Sequence, residues 1–432
     1  MAIGVWLSQA DCRVGGVDAV EGGVCRAVSY RLYPTVGQQA RLVELLGSQC
    51  DLYNAALEER RGVWRWERRK VTWVEQFKQL SGLEARQAIP SLDRFGLAPH
   101  RGTLKRLDEA FAGFFARVKA GRTAGFPRFK SKSRWDSVTY PEAQGWKIYQ
   151  TGTAGTYGRL RLGGVGHVAV RLAHGGKARV GVPAKLVLRR TAGRRPRWAA
   201  TVFFKNCPAR TATQAPVAAA GVDRGVTVLA AVADTAGGRR LDANPRYLAH
   251  AQGRLAAKQQ ILARRAKGTA RRRWAAADVA RAHRRVADAR RNHLHRLYRS
   301  LVERFHTIVL EDLKIANMTR SAKGTIEAPG TNVAQKSGLN RAIADAGWAT
   351  LAGMISYKAE EAGRGIVTVK PHHSSQTCAV CGHVDPGSRQ RQVFCCTACG
   401  HQDHADLNAA QVLLQRAGYT TLRPGPGPAL AA

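Results

Sequence analysis

The chain has 432 residues, 44% of them hydrophobic, with 69 Lys and Arg against 30 Asp and Glu, a formal charge of +39 and a pI near 11.0. That length and apolar content suit two or three domains with proper cores and exclude a disordered chain. No apolar run of about eighteen residues exists to cross a bilayer, and the residues after Met1 lack the basic-then-apolar pattern of a signal peptide, so a cytoplasmic protein is expected.

Residues 1–26 are Gly-rich and unpatterned and read as a flexible leader. Ala27 to Tyr33 alternates apolar and polar residues as a half-buried strand does, and Pro34-Thr35 ends it and opens a helix. From Gln38 to about Lys119 the apolar spacing is helical, with stripes such as Leu42, Leu45, Leu46, Tyr53 and Leu104, Leu107, Phe111, Phe114. Gly125 to Lys130 (GFPRFK) breaks the pattern, and residues 135–205 carry short alternating runs between Gly and Pro, the signature of an antiparallel barrel or sandwich.

A polar linker, 206–216, precedes a change of character. Val217 to Ala233 reads as an apolar hairpin, 244–305 as a long basic helical stretch, and then come a strand (TIVLED), a Gly-containing loop, a helix over Leu339–Ala362, a strand (GIVTVK), a cysteine cluster, a short helix over Asp406–Ala417 and a disordered Pro- and Gly-rich tail. This mixed order predicts an α/β unit on a central sheet behind the β-rich half.

The net charge points to a polyanion, bound largely by phosphate neutralisation. The densest basic stretch holds Arg264, Arg265, Arg271, Arg272, Arg273, Arg284 and Arg285. Together with Arg128 and Lys130, these are the candidate nucleic-acid contacts. Trp64, Trp66, Phe126, Phe129 and Trp135 sit among arginines and are either stacking surfaces or core.

Cys378-x-x-Cys381 and Cys396-x-x-Cys399 are two pairs on tight turns, each followed by Gly, and four thiolates so placed close a tetrahedron about Zn²⁺. Such a site is structural, because four protein ligands leave no open position; Cys395, which would spoil the two-residue gap, is expected to be a bystander. Asp223, Glu311 and Asp406 are each an acid at the edge of a strongly apolar element. Converging, they would hold two Mg²⁺ or Mn²⁺ ions for phosphodiester hydrolysis. Spacing alone leaves Asp312 competing with Glu311 and Asp403 with Asp406.

The succession GVDRG, VLEDLKIANM, GLNRAIADAGW, SSQTCAVCGH…CTACGH and ADLNAA, over 217 to about 415, resembles the core of the TnpB family and of the compact type V CRISPR effectors related to it. LYPTVGQQ, Tyr53-Asn54 and GFPRFKSK are similar to the same family's N-terminal half. The resemblance implies an RNA-guided DNA endonuclease that binds a structured guide RNA, reads a short target-adjacent motif and cleaves by two-metal hydrolysis. Asp223, Glu311 and Asp406 would be its catalytic triad and the four cysteines its zinc ligands.

It also implies a multidomain α+β fold. A wedge β-barrel (27–35 and 122–210) would carry an inserted helical recognition domain (36–121). An RNase H-like, RuvC-type α/β nuclease domain (216–370 and 402–418) would carry a zinc-ribbon insert (371–401) that binds target nucleic acid, with 419–432 as tail. Arg224 departs from the family, where an aliphatic residue is common. The alternatives are a guided DNA-binding protein with little cleavage and a transposase accessory protein. Direct transposition chemistry is not expected, since no tyrosine nucleophile lies near a pair of metal-ligand histidines.

Overall fold

The computed structural model describes residues 24–151, 156–172, 181–191, 196–207, 216–325 and 327–420. Most of the expected leader, linker and tail therefore lies outside the described residues. Residues 24–26, read as leader, belong to the first strand, and Asn206 and Cys207, read as linker, to the seventh. The chain divides at Pro208 into two units, each with its own sheet.

In the first unit the strand at Val24–Tyr33 (β1) leads into a helix at Val36–Glu67 (α1). Thr35 is its N-cap: its hydroxyl accepts from Gln38 N while Gln38 Oε1 accepts from Thr35 N at 3.1 Å, so two end-of-helix donors are satisfied reciprocally. Helices at Trp73–Ser81 (α2), Leu83–Ala88 (α3), Pro90–Phe95 (α4) and Leu97–Lys119 (α5) follow. The GFPRFK segment is irregular but held: Asn54 donates to Lys130 O and accepts from Lys130 N, both at 2.8 Å.

Strands Ser137–Tyr140 (β2), Trp146–Thr151 (β3), Tyr157–Leu162 (β4), Gly166–Arg171 (β5), Val182–Arg190 (β6) and Trp198–Cys207 (β7) join β1 in an antiparallel sheet of order β2-β6-β7-β1-β5-β4-β3. Inward residues such as Leu160, Val168, Val170 and Val202 share one core with Leu42, Leu45, Leu57, Leu104 and Leu107 of the helices. Burying the apolar face of both layers supplies the stability, at roughly 25 cal/mol per Å² removed from water.

The second unit opens with Val217–Asp223 (β8), Val228–Asp234 (β9) and Arg239–Ala243 (β10), the last a strand absent from the sequence reading. The basic stretch is two helices rather than one, Tyr247–Ala263 (α6) and Ala270–Arg304 (α7), because the chain turns at Gly268 with positive φ. Then come Phe305–Glu311 (β11), Ile315–Met318 (α8), Val333–Ala346 (α9), Trp348–Glu361 (α10) and Gly365–Val369 (β12). The single helix expected over Leu339–Ala362 is broken at Gly347, again at positive φ.

The sheet order is β10-β9-β8-β11-β12, with β8, β9 and β10 antiparallel and β11 parallel to both β8 and β12. Short strands Arg389–Gln390 (β13), Val393–Cys395 (β14) and Gln402–His404 (β15) form a small separate sheet, so the cysteine module runs on past residue 401. A last helix, Ala405–Arg416 (α11), lies on the five-stranded sheet, where Ala410, Leu413 and Leu414 pack with Ala219, Ala233 and Val309. Among the described residues no helix is long and apolar enough to cross a membrane.

Candidate active site

β8 and β11 run parallel and in register, with Val222 beside Leu310, so Asp223 and Glu311 are the next pair along and share a face of the sheet. The carboxyl ends of parallel strands are where open α/β sheets collect ligands. Gly221, two residues before Asp223, lies on that same face. A Cβ there would sit 2.1 Å from Ala410 O, so only glycine lets α11 come this close. That approach brings Asp406, in the first turn of α11, toward the strand ends. Glu311 and Asp406 are buried and Asp223 half-buried.

The three carboxylates act on one another. Burial first, then the charge of Glu311, a side-chain hydrogen bond to Glu311 and the charge of Asp406 push Asp223 well above the usual carboxylate range, while Arg389 opposes them. This is the signature of acids crowded into a space where they cannot all ionise at once. Arg389, on β13, donates from Nη2 to Asp406 Oδ1 at 2.8 Å. Sequence reasoning missed it, since one arginine among 69 basic residues carries no signal. Arg224 is buried. Its backbone N donates to Glu311 Oε1 at 3.0 Å and its guanidinium to the Glu311 carbonyl, so this departure from the family pattern clamps Glu311 in place.

Both rival acids have partners of opposite charge. Asp312 is half exposed and pairs with Lys314 Nζ at 2.7 Å. Asp403 is buried in an ion pair with Arg239 of β10 and accepts from His404 N. Glu311 and Asp406 are among the groups that raise Asp223.

The four cysteines come together with each ligand atom within 4.8 Å of the others. Sγ of Cys378 lies 3.7 Å from that of Cys399, and Sγ of Cys381 lies 3.6 Å from that of Cys396. A tetrahedron with metal–sulfur bonds of about 2.3 Å has edges of about 3.8 Å, so the donor set fits zinc. Two matching turns build it. Gly382 N donates to Cys378 O and Cys378 N to His383 O, and Gly400 N to Cys396 O and Cys396 N to His401 O, with both glycines at positive φ. Cys395 is exposed and outside the cluster, as expected. α11 clasps the first turn: buried Asn408 accepts from Ala379 N and donates to Thr377 O, and Gln415 donates to Ala379 O.

The candidate nucleic-acid contacts are scattered over exposed surface, with one exception. Arg128, Lys130, Arg264, Arg265, Arg271, Arg273 and Arg285 are exposed and Arg284 partly so. Arg272 instead donates to the carbonyls of Leu262 and Arg265 and closes the end of α6. Trp135 is core, 4% exposed and packed against Tyr53 and Arg106. Trp64, Trp66, Phe126 and Phe129 are exposed.

Three family models match. One described as "Probable transposase" (OrfB_IS605) covers residues 202–322, one for a Cas12f1-like TNB domain covers 348–413, and one for a helix-turn-helix domain covers 24–70. Residues 24–70 hold β1 and the uninterrupted α1, so no turn between helices exists there. A curated relative from Streptomyces pristinaespiralis, named as an RNA-guided DNA endonuclease, is 32% identical over 410 residues, covering 94% of this chain and 92% of its own. InsQ of Escherichia coli K12, named likewise, is 28% identical over 407 residues, covering 93% and 94%. Among solved structures, a Cas12f1–sgRNA–target DNA complex is similar in fold, with a TM-score of 0.53 at 16% identity over 88% of this chain and 82% of that one.

Proposed function

Since the chain belongs to the TnpB family, we propose that it is an RNA-guided DNA endonuclease whose cutting centre is the carboxylate cluster of the second unit. The observation that carries this reading is the convergence of Asp223, Glu311 and Asp406 from three distant segments. The sheet order, with three antiparallel strands, two parallel ones and the acids at the ends of the adjacent β8 and β11, supports reading 216–370 and 402–418 as an RNase H-like, RuvC-type domain. The residues before 210 are read as the wedge and recognition modules that hold guide RNA and sense the target-adjacent motif.

The donor set fits hard divalent cations. Burial and the charges of Glu311 and Asp406 push Asp223 well above the usual carboxylate range, a surrounding that a divalent cation would relieve. Asp223, Glu311 and Asp406 would hold Mg²⁺ or Mn²⁺, which when bound would activate water and stabilise the leaving oxygen. Arg224 fixes one Glu311 oxygen through its backbone N–H, leaving the other free to turn toward the cluster. Arg389 orients Asp406 through its hydrogen bond to Oδ1. Burial and the charge of Glu311 strengthen the hold of Asp223 on its proton, which must leave before that group can act as a ligand. The four cysteines would hold a structural zinc that shapes the ribbon for target nucleic acid.

The test is a plasmid carrying a guide-matched target beside its adjacent motif, incubated with protein, guide RNA and Mg²⁺. Asp223→Ala and Glu311→Ala should each reduce cleavage at least about 100-fold while RNA and target binding stay near the parent's. Cutting that survives either change removes the cluster from the mechanism. A parent protein that binds the target and leaves it intact favours the guided binding protein over the nuclease.

A further inference from the structure

The solvent face of the first unit's sheet carries a feature the cutting centre does not use. Outward residues on β1, β5, β4 and β3 fall into rows fixed by register. Arg31 faces Arg171, which faces Tyr157; Tyr33 faces Ala169, then Arg159, then Tyr149; His167 faces Arg161, then Lys147. None of these four strands contains an acidic residue. Arg31, Arg159, Arg161, Arg171 and Lys147 form no ion pair among the described residues. Like charges directly opposite on neighbouring strands destabilise a sheet, so this face is built against its own stability.

At its centre the outward residue Ala169 is small. Around it Tyr33, Tyr157, Arg159 and Arg171 rim a shallow dimple of about 390 Å³, within the range of pockets that take small ring systems. Tyr157 is 61% and Tyr33 42% exposed, unusual for rings of this size. One side of the Tyr33 ring is covered by the Arg31 guanidinium at 4.9 Å from its centroid.

We propose that this dimple takes an unpaired nucleobase, stacked on Tyr33 and Tyr157 over Ala169, with the flanking phosphates held by Arg159, Arg171 and Arg161. The proposal deepens the reading of the chain as a guided nuclease and rests on it for the presence of single-stranded nucleic acid. Rings accept any base face, and arginines beside them supply the charge that holds a nucleic-acid backbone. The chemistry is shared by a guide RNA loop and a displaced DNA strand.

The experiment uses the full chain with a short oligouridylate carrying 5-bromouridine and, in parallel, its deoxy counterpart. After irradiation, crosslinked peptides are mapped. Crosslinks at Tyr33 and Tyr157 are expected, and the probe with the greater yield identifies the source. Ala169→Trp fills the dimple without touching a charge and should lower that yield about tenfold. Tyr157→Leu, at an exposed position, should do the same and serves if the tryptophan disturbs the sheet. Arg159→Gln and Arg171→Gln should each reduce the slope of log affinity against log salt by about 0.7. Crosslinks confined to other peptides, or a yield unchanged by both dimple variants, overturn the proposal and leave the nuclease reading intact. Failure of both probes to crosslink to the parent likewise overturns the proposal, while the nuclease reading rests on the cleavage assay.

Discussion

Asp223 and Glu311 end neighbouring parallel strands side by side, and the charge of Glu311 adds to burial in raising the Asp223 carboxyl above the usual carboxylate range. Burial and the neighbouring negative charges make Asp223 hold its proton more tightly folded than unfolded. Such a group stabilises the fold relative to its ionised form below the unfolded pKa, near about 3.9, and that stability is lost as pH rises through the elevated folded value. The carboxylate cluster is therefore a strained feature of the cation-free protein.

Asp223→Asn should accordingly stabilise the cation-free protein by about 1 kcal/mol at pH near 8, with the gain shrinking toward pH 4. Thermal melts across that range check it. A variant that melts lower than the parent at pH 8 contradicts the crowding argument.

The same proton competes with cations. The Mg²⁺ concentration for half-maximal cleavage should rise as pH falls below the Asp223 pKa, by about tenfold per unit while one proton is displaced. A half-saturation point that stays constant down to the lowest pH at which the protein remains folded would show that Asp223 is not a ligand.

Gly221→Ala places a methyl group against the Ala410 carbonyl and must push α11 off the sheet. A destabilisation of about 2–3 kcal/mol is expected, with loss of cleavage exceeding the loss of folded protein because Asp406 moves with the helix. Denaturant unfolding, with activity corrected for folded fraction, separates the two.

Cys378→Ser should expel one zinc per chain, by metal analysis, and loosen the ribbon together with α11, since Asn408 near its start and Gln415 near its end bond to the turn holding that cysteine. Cys395→Ser should keep its zinc and change stability by no more than about 0.5 kcal/mol, being exposed and outside the cluster. Zinc loss from the Cys395 variant would mean that the ligand set is misassigned.

Much of this molecule is legible in its sequence. The paired CxxC turns state their own geometry, because a tetrahedral metal needs two short loops and little else. The strand at Ala27–Tyr33 shows itself by alternation, and the acids at 223, 311 and 406 by lying at the edges of apolar runs. What stays hidden depends on residues far apart in the chain, or on a single backbone angle. Periodicity does not show the breaks at Gly268 and Gly347, since a helical stripe continues across one glycine.

Composition and spacing, then, determined a polycation with a four-thiolate turn pair and three candidate acids, because charge balance and short-range spacing are properties of the chain itself. Only the tertiary structure decided that Glu311 and not Asp312, and Asp406 and not Asp403, join Asp223, because strand register, the close approach at Gly221 and the pairing of the rival acids with Lys314 and Arg239 exist only once distant segments meet.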